Sequence, residues 1–192
     1  MTSQATDRHS FATVQPNPPT TGSASLVHCP AEVLTRLRKL HEAEIITLFT
    51  PFVPHSPSST LAKNTDPFEP LGRALPRRVR HVPYRLDHGM TETHAGFLPA
   101  SGVVMIVICI TENIMSRNTQ AFAQQLKFAR GITRKVEESW STMQVPVVVL
   151  LVSDEPAGQS YSKAVQDFPV LVTTNNYTPA ALTNAAAVLF GN

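Results

Sequence analysis

The chain has 192 residues, a formal net charge of +2 and a hydrophobic content of 42%. That length suits one domain with a single core, and the small net charge gives no electrostatic support for binding nucleic acid or an anionic membrane. The strongest apolar run, residues 103–110, is too short to span a bilayer. The first residues contain no hydrophobic segment suited to secretion, so we expect a cytoplasmic protein.

Proline, serine and threonine are concentrated in two stretches of the chain. Residues 1–25 contain few large apolar side chains to offset the entropy cost of ordering, so we predict a disordered tail there. Residues 26–192 are predicted to form a single domain. Within that domain, residues 51–66 are predicted to form a long loop rich in proline and serine.

The predicted domain alternates between strand and helix patterns. Its first half is predicted to contain helix 33–40, strand 45–49, short helix 67–75, strand 79–82 and short helix 91–98. Its second half is predicted to contain strand 103–110, long helix 116–138, strand 145–152 and short helix 161–165. The β-branched runs of the two apolar strands imply burial on both faces. We therefore predict an α/β three-layer sandwich, with a mostly parallel five- or six-stranded sheet and helices on both faces.

The last segment carries the clearest local signals. Residues 170–172 are predicted to form the final strand, after which Thr178 suits a helix N-cap, Pro179 the first helical position and Gly191 the C-terminal cap. Loops at the carboxyl ends of parallel strands form the usual ligand crevice, so we predict a substrate-binding loop here. Its candidate residues are Thr174, Asn175, Asn176 and Tyr177. The alternative is that the two asparagines only shape the turn.

Three acidic residues follow other predicted strands and are candidate catalytic groups. Asp87, Glu112 and Asp154 would converge if their loops meet at one edge of the sheet. Glycoside hydrolysis uses two such carboxyl groups, separated by about 5 to 9.5 Å. The alternative is that these acids are surface groups, and Glu112 and Asp154 lie where helix N-termini favour negative charge without any catalysis.

Other kinds of site have no support in the sequence. Cys29 and Cys109 lie in a polar tail and an apolar strand, which argues against a disulfide framework. His88, His94 and Glu92 lack the spacing of a zinc-binding motif, and no glycine-rich phosphate-binding motif occurs. We therefore expect neither a metal ion nor a cofactor.

Three sequence blocks carry a resemblance to a known family. They are DPFEPLGRAL at 66–75, VRHVPY at 79–84 with GMTETHAGF at 89–97, and YTPAAL at 177–182 with AVLFG at 187–191. Their order and spacing resemble the C-terminal α/β domain of glycoside hydrolase family 3, particularly its β-N-acetylglucosaminidase-like branch. The chain departs from that family after the fourth strand, where SDEPAG at 153–158 replaces an Asn-Pro-Tyr-Asp-like turn.

The resemblance implies a role without independent catalysis. In family 3 enzymes the nucleophilic aspartate lies on a TIM barrel, and in the acetylglucosaminidase-like branch the proton donor is associated with that barrel too. A barrel takes about 200 residues or more, so we expect this chain to lack one and to be inactive alone. The implied function is an accessory domain in carbohydrate metabolism, with a glycan of the N-acetylglucosamine type and a separate TIM-barrel glycosidase domain as partners. The alternatives are a protein-interaction or degenerate module without sugar binding and, more remotely, an independent hydrolase.

Overall fold

The computed structural model describes residues 22–56, 61, 62, 64–154 and 158–191. Within them a single sheet contains strands β1 (Ala24–His28), β2 (Ile45–Pro51), β3 (Arg78–Tyr84), β4 (Val103–Cys109), β5 (Val147–Val152) and β6 (Val170–Thr174). The spatial order is β1-β6-β5-β4-β2-β3, and every pair is parallel except β1 with β6. The predicted mostly parallel sheet is therefore confirmed.

Helices cover both faces of this sheet. They are α1 (Ala31–Arg38), α2 (Glu69–Ala74), α3 (Glu92–Gly96), α4 (Glu112–Met115), α5 (Ala121–Glu137), α6 (Gly158–Ala164) and α7 (Pro179–Phe190). Leu37 of α1, Leu71 of α2 and Leu182 of α7 belong to the core on one face. Phe128 and Ile132 of α5 belong to the core on the other face. This arrangement confirms the three-layer sandwich.

The two central strands are buried along their whole length. Residues of β4 alternate between the two cores, with Met105 and Val107 in one and Ile106 and Ile108 in the other. Every residue of β5 is buried as well. A strand that packs against helices on both faces has no polar side, which explains the continuous apolar runs.

The last helix begins and ends where its local signals predict. The Thr178 hydroxyl accepts a hydrogen bond from the Ala181 amide at 3.4 Å, and Pro179 is the first helical residue. Gly191 adopts a left-handed φ of 75°, and its amide donates to the Ala187 carbonyl at 2.8 Å. The capping residues therefore fix both ends of α7 from short-range chemistry alone.

Two elements differ from the prediction. Strand β1 starts at Ala24, inside the stretch predicted as a tail, while residues 1–21 lie outside the described residues. Antiparallel pairing with β6 holds the strand at the sheet edge, and a five-residue segment with one large side chain packed on the core does not predict that pairing. The predicted helix 116–138 begins only at Ala121, as α5, because the Asn118 side chain accepts from the Gln120 amide at 3.0 Å and turns the chain before it. The short helix α4 precedes this turn.

The strand order reverses between β2 and β4. The connection from β2 to β3 contains α2 on one face, and the connection from β4 to β5 contains α5 on the other. In sheets of this kind the crevice at such a reversal, beyond the carboxyl ends of the strands, is the usual place for a ligand. We therefore expect a ligand site at the loops after β2 and β4.

At this reversal the two strands part before they end. Pairing of β2 with β4 stops at Phe49 and Ile106, whereas β4 continues to Cys109. Side chains take the place of the missing strand. The Tyr84 hydroxyl donates to the Val107 carbonyl at 2.9 Å. Gln125 accepts from the Cys109 amide at 2.7 Å and donates to its carbonyl at 2.8 Å.

We predict that Gln125→Leu strongly destabilises the fold. Gln125 is fully buried, so the substitution leaves the amide and the carbonyl of Cys109 without partners in the protein interior. Each unsatisfied group costs roughly 1–3 kcal/mol, so the free energy of unfolding should fall by about 3 kcal/mol in urea titrations. Gln120→Leu at an exposed position is the matched control. Equal stability of the two variants would contradict this account of the β4 edge.

Candidate functional site

A cleft of about 320 Å³ lies at the carboxyl edge of the sheet. Residues from the loops after β2, β4, β5 and β6 line it: Ser56, Thr111, Glu112, Asn113, Ser116, Asp154, Asn175, Asn176 and Tyr177. It therefore brings together Glu112, Asp154 and most of the predicted substrate-binding loop. Its volume is within the range of small-molecule sites.

Asn113 ties three of these loops to one another. Its side-chain amide donates to the Tyr177 hydroxyl at 2.9 Å and to the His55 carbonyl at 3.2 Å, and its side-chain oxygen accepts from the Thr111 hydroxyl. The loops after β2, β4 and β6 thereby meet at one side chain. The sequence places Asn113 in the candidate loop after β4 but assigns it no role there, because an asparagine in a loop has the pattern of an ordinary turn residue.

Tyr177 forms part of the cleft wall but is almost wholly buried. It is 3% exposed, and its ring stacks on Phe68 with centroids 5.7 Å apart. Its hydroxyl also donates to the Pro54 carbonyl at 3.0 Å. Burial raises the pKa of Tyr177 to about 12. These contacts favour a packing role for Tyr177 over direct contact with a ligand.

The other residues of the predicted binding loop divide into structural and accessible groups. Thr174 is buried, and its hydroxyl donates to the Asn176 carbonyl at 2.8 Å. The Asn176 side-chain oxygen accepts from the Thr178 amide at 3.0 Å and from its hydroxyl at 2.7 Å, so Asn176 shapes the turn before α7. Asn175 accepts from the Asn176 side chain at 3.0 Å. In the described part of the chain its own amide nitrogen has no partner, and it is half-buried in the cleft.

Glu112 and Asp154 share the cleft, as predicted for converging loops. Glu112 is the first residue of α4, and its backbone amide donates to an Asp154 carboxylate oxygen at 2.8 Å. Asp154 thus satisfies an amide at the start of a helix, which is the structural role that the sequence left open for it. The Glu112 side chain is exposed at the cleft margin.

Asp87 lies apart from these two acids. Its carboxylate accepts two hydrogen bonds from Arg85, at 3.1 and 2.8 Å, and lies 3.2 Å from a His88 ring nitrogen. The hydrogen bonds from Arg85 lower the pKa of the Asp87 carboxyl, so the group is ionised at neutral pH and is poorly suited to donate a proton. The structure therefore brings two of the three candidate acids together, and Asp87 lines a different cleft.

Comparisons with known proteins find similarity in structure only. No family model matches the sequence, and no curated protein matches it either. A fungal multi-domain glycoside hydrolase family 3 β-N-acetylglucosaminidase superposes with a TM-score of 0.58 and 16% identity over 88% of this chain and 16% of its own. A glycoside hydrolase family 3 β-N-acetylglucosaminidase from Paenibacillus sp. str. FPU-7 gives 0.54 and 14% over 88% of this chain and 28% of its own. The chain has the fold of a family 3 C-terminal α/β domain.

A third similar structure is that of an enzyme with a different activity. A β-glucosidase from Listeria innocua superposes with a TM-score of 0.51 and 17% identity, over 88% of this chain and 23% of that enzyme. The chain thus spans less than a third of the length of each of these proteins. At these identities the likeness establishes the family 3 domain fold alone.

The structure also bears on metal binding and on membrane insertion. Among the residues that the structure describes, no group of three or more His, Cys, Asp and Glu side chains is arranged to hold a metal ion. Over the same residues, no helix combines the length and the apolar character needed to cross a bilayer.

We predict different stability losses for two substitutions of Tyr177. Tyr177→Ala removes the ring that stacks on Phe68 and should lower the free energy of unfolding by about 3 kcal/mol. Tyr177→Phe keeps the ring and removes only the hydroxyl bonds, so we expect a loss of about 1 kcal/mol. Urea unfolding followed by circular dichroism measures both. Tyr161→Phe, at a half-buried tyrosine of α6, is the control; a Tyr177→Ala variant as stable as the parent would show that the ring does not pack.

Proposed function

We propose that this chain is a glycoside hydrolase family 3 C-terminal-type domain, related to those of β-N-acetylglucosaminidases, with an accessory role in carbohydrate metabolism. In this role it contacts a glycan and acts beside a TIM-barrel domain that carries the catalytic residues. The observation that carries the proposal is the likeness in fold to family 3 enzymes over 88% of the chain. The sequence blocks that resemble the acetylglucosaminidase-like branch support it independently. A cytoplasmic location stays a prediction.

The cleft chemistry is suited to hydrogen bonding with sugar hydroxyls. Asn175 offers an amide nitrogen, and Glu112 and Asp154 offer carboxylate oxygens that accept from hydroxyl groups. Asn176, Thr174 and Tyr177 hold the loop in shape, so Asn175 is the member of the predicted binding loop from which we expect direct contact. The network through Asn113 would keep this donor in place before a ligand arrives.

A non-catalytic interaction module is the second candidate, and one observation favours it. Trp140 is 91% exposed and Met143 is 52% exposed, both in the segment between α5 and β5. Exposed aromatic and methionine side chains are typical of protein contact surfaces. This segment leads into the amino end of β5, at the edge of the sheet opposite the cleft.

An independent hydrolase is the third candidate, and the geometry supports it least. Such an enzyme needs an acid and a nucleophile or base on either side of the bond that breaks. Asp87 is separate from the other two acids, and Asp154 already accepts a hydrogen bond from the Glu112 amide.

We predict that Asn175→Ala weakens glycan binding without unfolding the domain. The substitution removes the accessible amide of the cleft, whereas the turn contacts of Asn176 remain. Losing one hydrogen bond to a neutral group should raise the dissociation constant for N,N′-diacetylchitobiose about fivefold, with little change in melting temperature. Amide chemical-shift titration measures the binding. Gln144→Ala, which removes an exposed side-chain amide just before β5, is the control; identical affinities for the parent and Asn175→Ala would remove Asn175 from the site.

We also predict that the purified 192-residue chain does not hydrolyse an aryl β-N-acetylglucosaminide. The expectation follows from the resemblance, which assigns the nucleophile to a barrel domain. Release of the aryl chromophore is the measurement. Turnover that disappears in Asp154→Asn or Glu112→Gln would instead establish the chain as a hydrolase in its own right.

A further inference from the structure

A second cleft, of about 590 Å³, lies beside the place where the strand order reverses. Its lining comes from the loops after β2, β3 and β4 and from the first turns of α5: Phe52, Arg85, Leu86, Asp87, Asn118 and Gln124. The first cleft is lined by other residues throughout. The position beyond the carboxyl ends of β2 and β4 is where open α/β sheets usually bind ligands.

An aromatic ring is exposed to solvent at the margin of this cleft. Phe52 is 76% exposed, although it directly follows the buried end of β2. Its backbone amide donates to the Tyr84 carbonyl at 2.9 Å, so the residue is fixed to the sheet while its ring remains uncovered. An exposed aromatic ring on an anchored backbone offers an apolar contact surface to a ligand.

The polar groups of the cleft are planar and balanced in charge. Arg85 and Asp87 form a paired ion interaction with two hydrogen bonds, and the Asn118 amide donates to the Gln124 side-chain oxygen at 2.9 Å. One cation and one anion cancel within the lining, so the cleft offers no net attraction to a phosphate or another anion. The carboxylate and amide groups of the lining are suited to a neutral ligand that carries many hydroxyl groups.

We propose that this cleft is a carbohydrate-binding site in which a pyranose ring stacks on Phe52. One face of a pyranose consists of C–H groups and packs on an aromatic ring, while its hydroxyls point outward around the ring edge. Asp87 accepts hydrogen bonds from these hydroxyls, and the amides of Asn118 and Gln124 donate and accept at the other side. The inference rests on the proposed function for its choice of probe sugars, but its residues are independent of those around Asn175.

The test is a residue-resolved titration of the full chain with N,N′-diacetylchitobiose and, separately, with cellobiose. We expect chemical-shift changes at Phe52, Arg85 and the side-chain amides of Asn118 and Gln124. Phe52→Ala should weaken binding at these positions by about threefold to tenfold, the usual effect of losing an aromatic contact. Asp87→Asn should also weaken it, because the amide cannot replace both carboxylate acceptors. Trp140→Ala is the matched control, since it removes another exposed aromatic ring away from the cleft.

The outcomes separate this inference from the proposed function. Shifts confined to Asn175 and its neighbours would support the first cleft and overturn the second. Shifts confined to the Phe52 cleft would establish the second and remove the first. Equal weakening by Trp140→Ala and Phe52→Ala would indicate non-specific contact with exposed rings and would overturn the inference. An absence of shifts with either sugar at millimolar concentration would contradict both sites.

Discussion

The parting of β2 from β4 is the feature on which the carboxyl edge of the sheet depends. Pairing between these neighbours stops at Phe49 and Ile106, which leaves the last part of β4 without a strand on that side. Buried backbone groups need partners, and Tyr84 and Gln125 supply them from β3 and α5. These side chains let two adjacent strands separate inside a closed core, and the separation makes room for loops at the point where the strand order reverses.

The two clefts lie on either side of that separation. On one side, Asn113 joins the loops after β2, β4 and β6, and Tyr177 anchors the joint in the core through Phe68. On the other side, Phe52 and the Arg85–Asp87 pair extend from the ends of β2 and β3. The three candidate acids therefore line two different clefts. Glu112 and Asp154 line the first, and Asp87 lines the second.

Patterns confined to short segments predicted the structure well. The β-branched runs gave β4 and β5, and Thr178 with Gly191 gave the ends of α7, because each signal depends on neighbouring residues. Strand β1 was missed because Leu26 is its one large side chain packed against the core and β6 holds it in place. The roles of Asn113 and Gln125 were missed for a related reason. Their partners are fixed by tertiary structure: they lie 58 and 64 residues away for Asn113, and 16 residues away on β4 for Gln125.

The most direct test of sugar binding at the carboxyl edge is a crystal structure of the chain grown with N,N′-diacetylchitobiose. We expect sugar density at the carboxyl edge, with a pyranose ring against Phe52 or a hydroxyl within hydrogen-bonding distance of Asn175. Tyr84 and Gln125 should keep their bonds to β4 in that complex, because they maintain the separation of the strands. Sugar bound only at the opposite edge near Trp140 would contradict sugar binding at the carboxyl edge. The same conclusion would follow if both clefts were open to solvent in the crystal and contained no sugar.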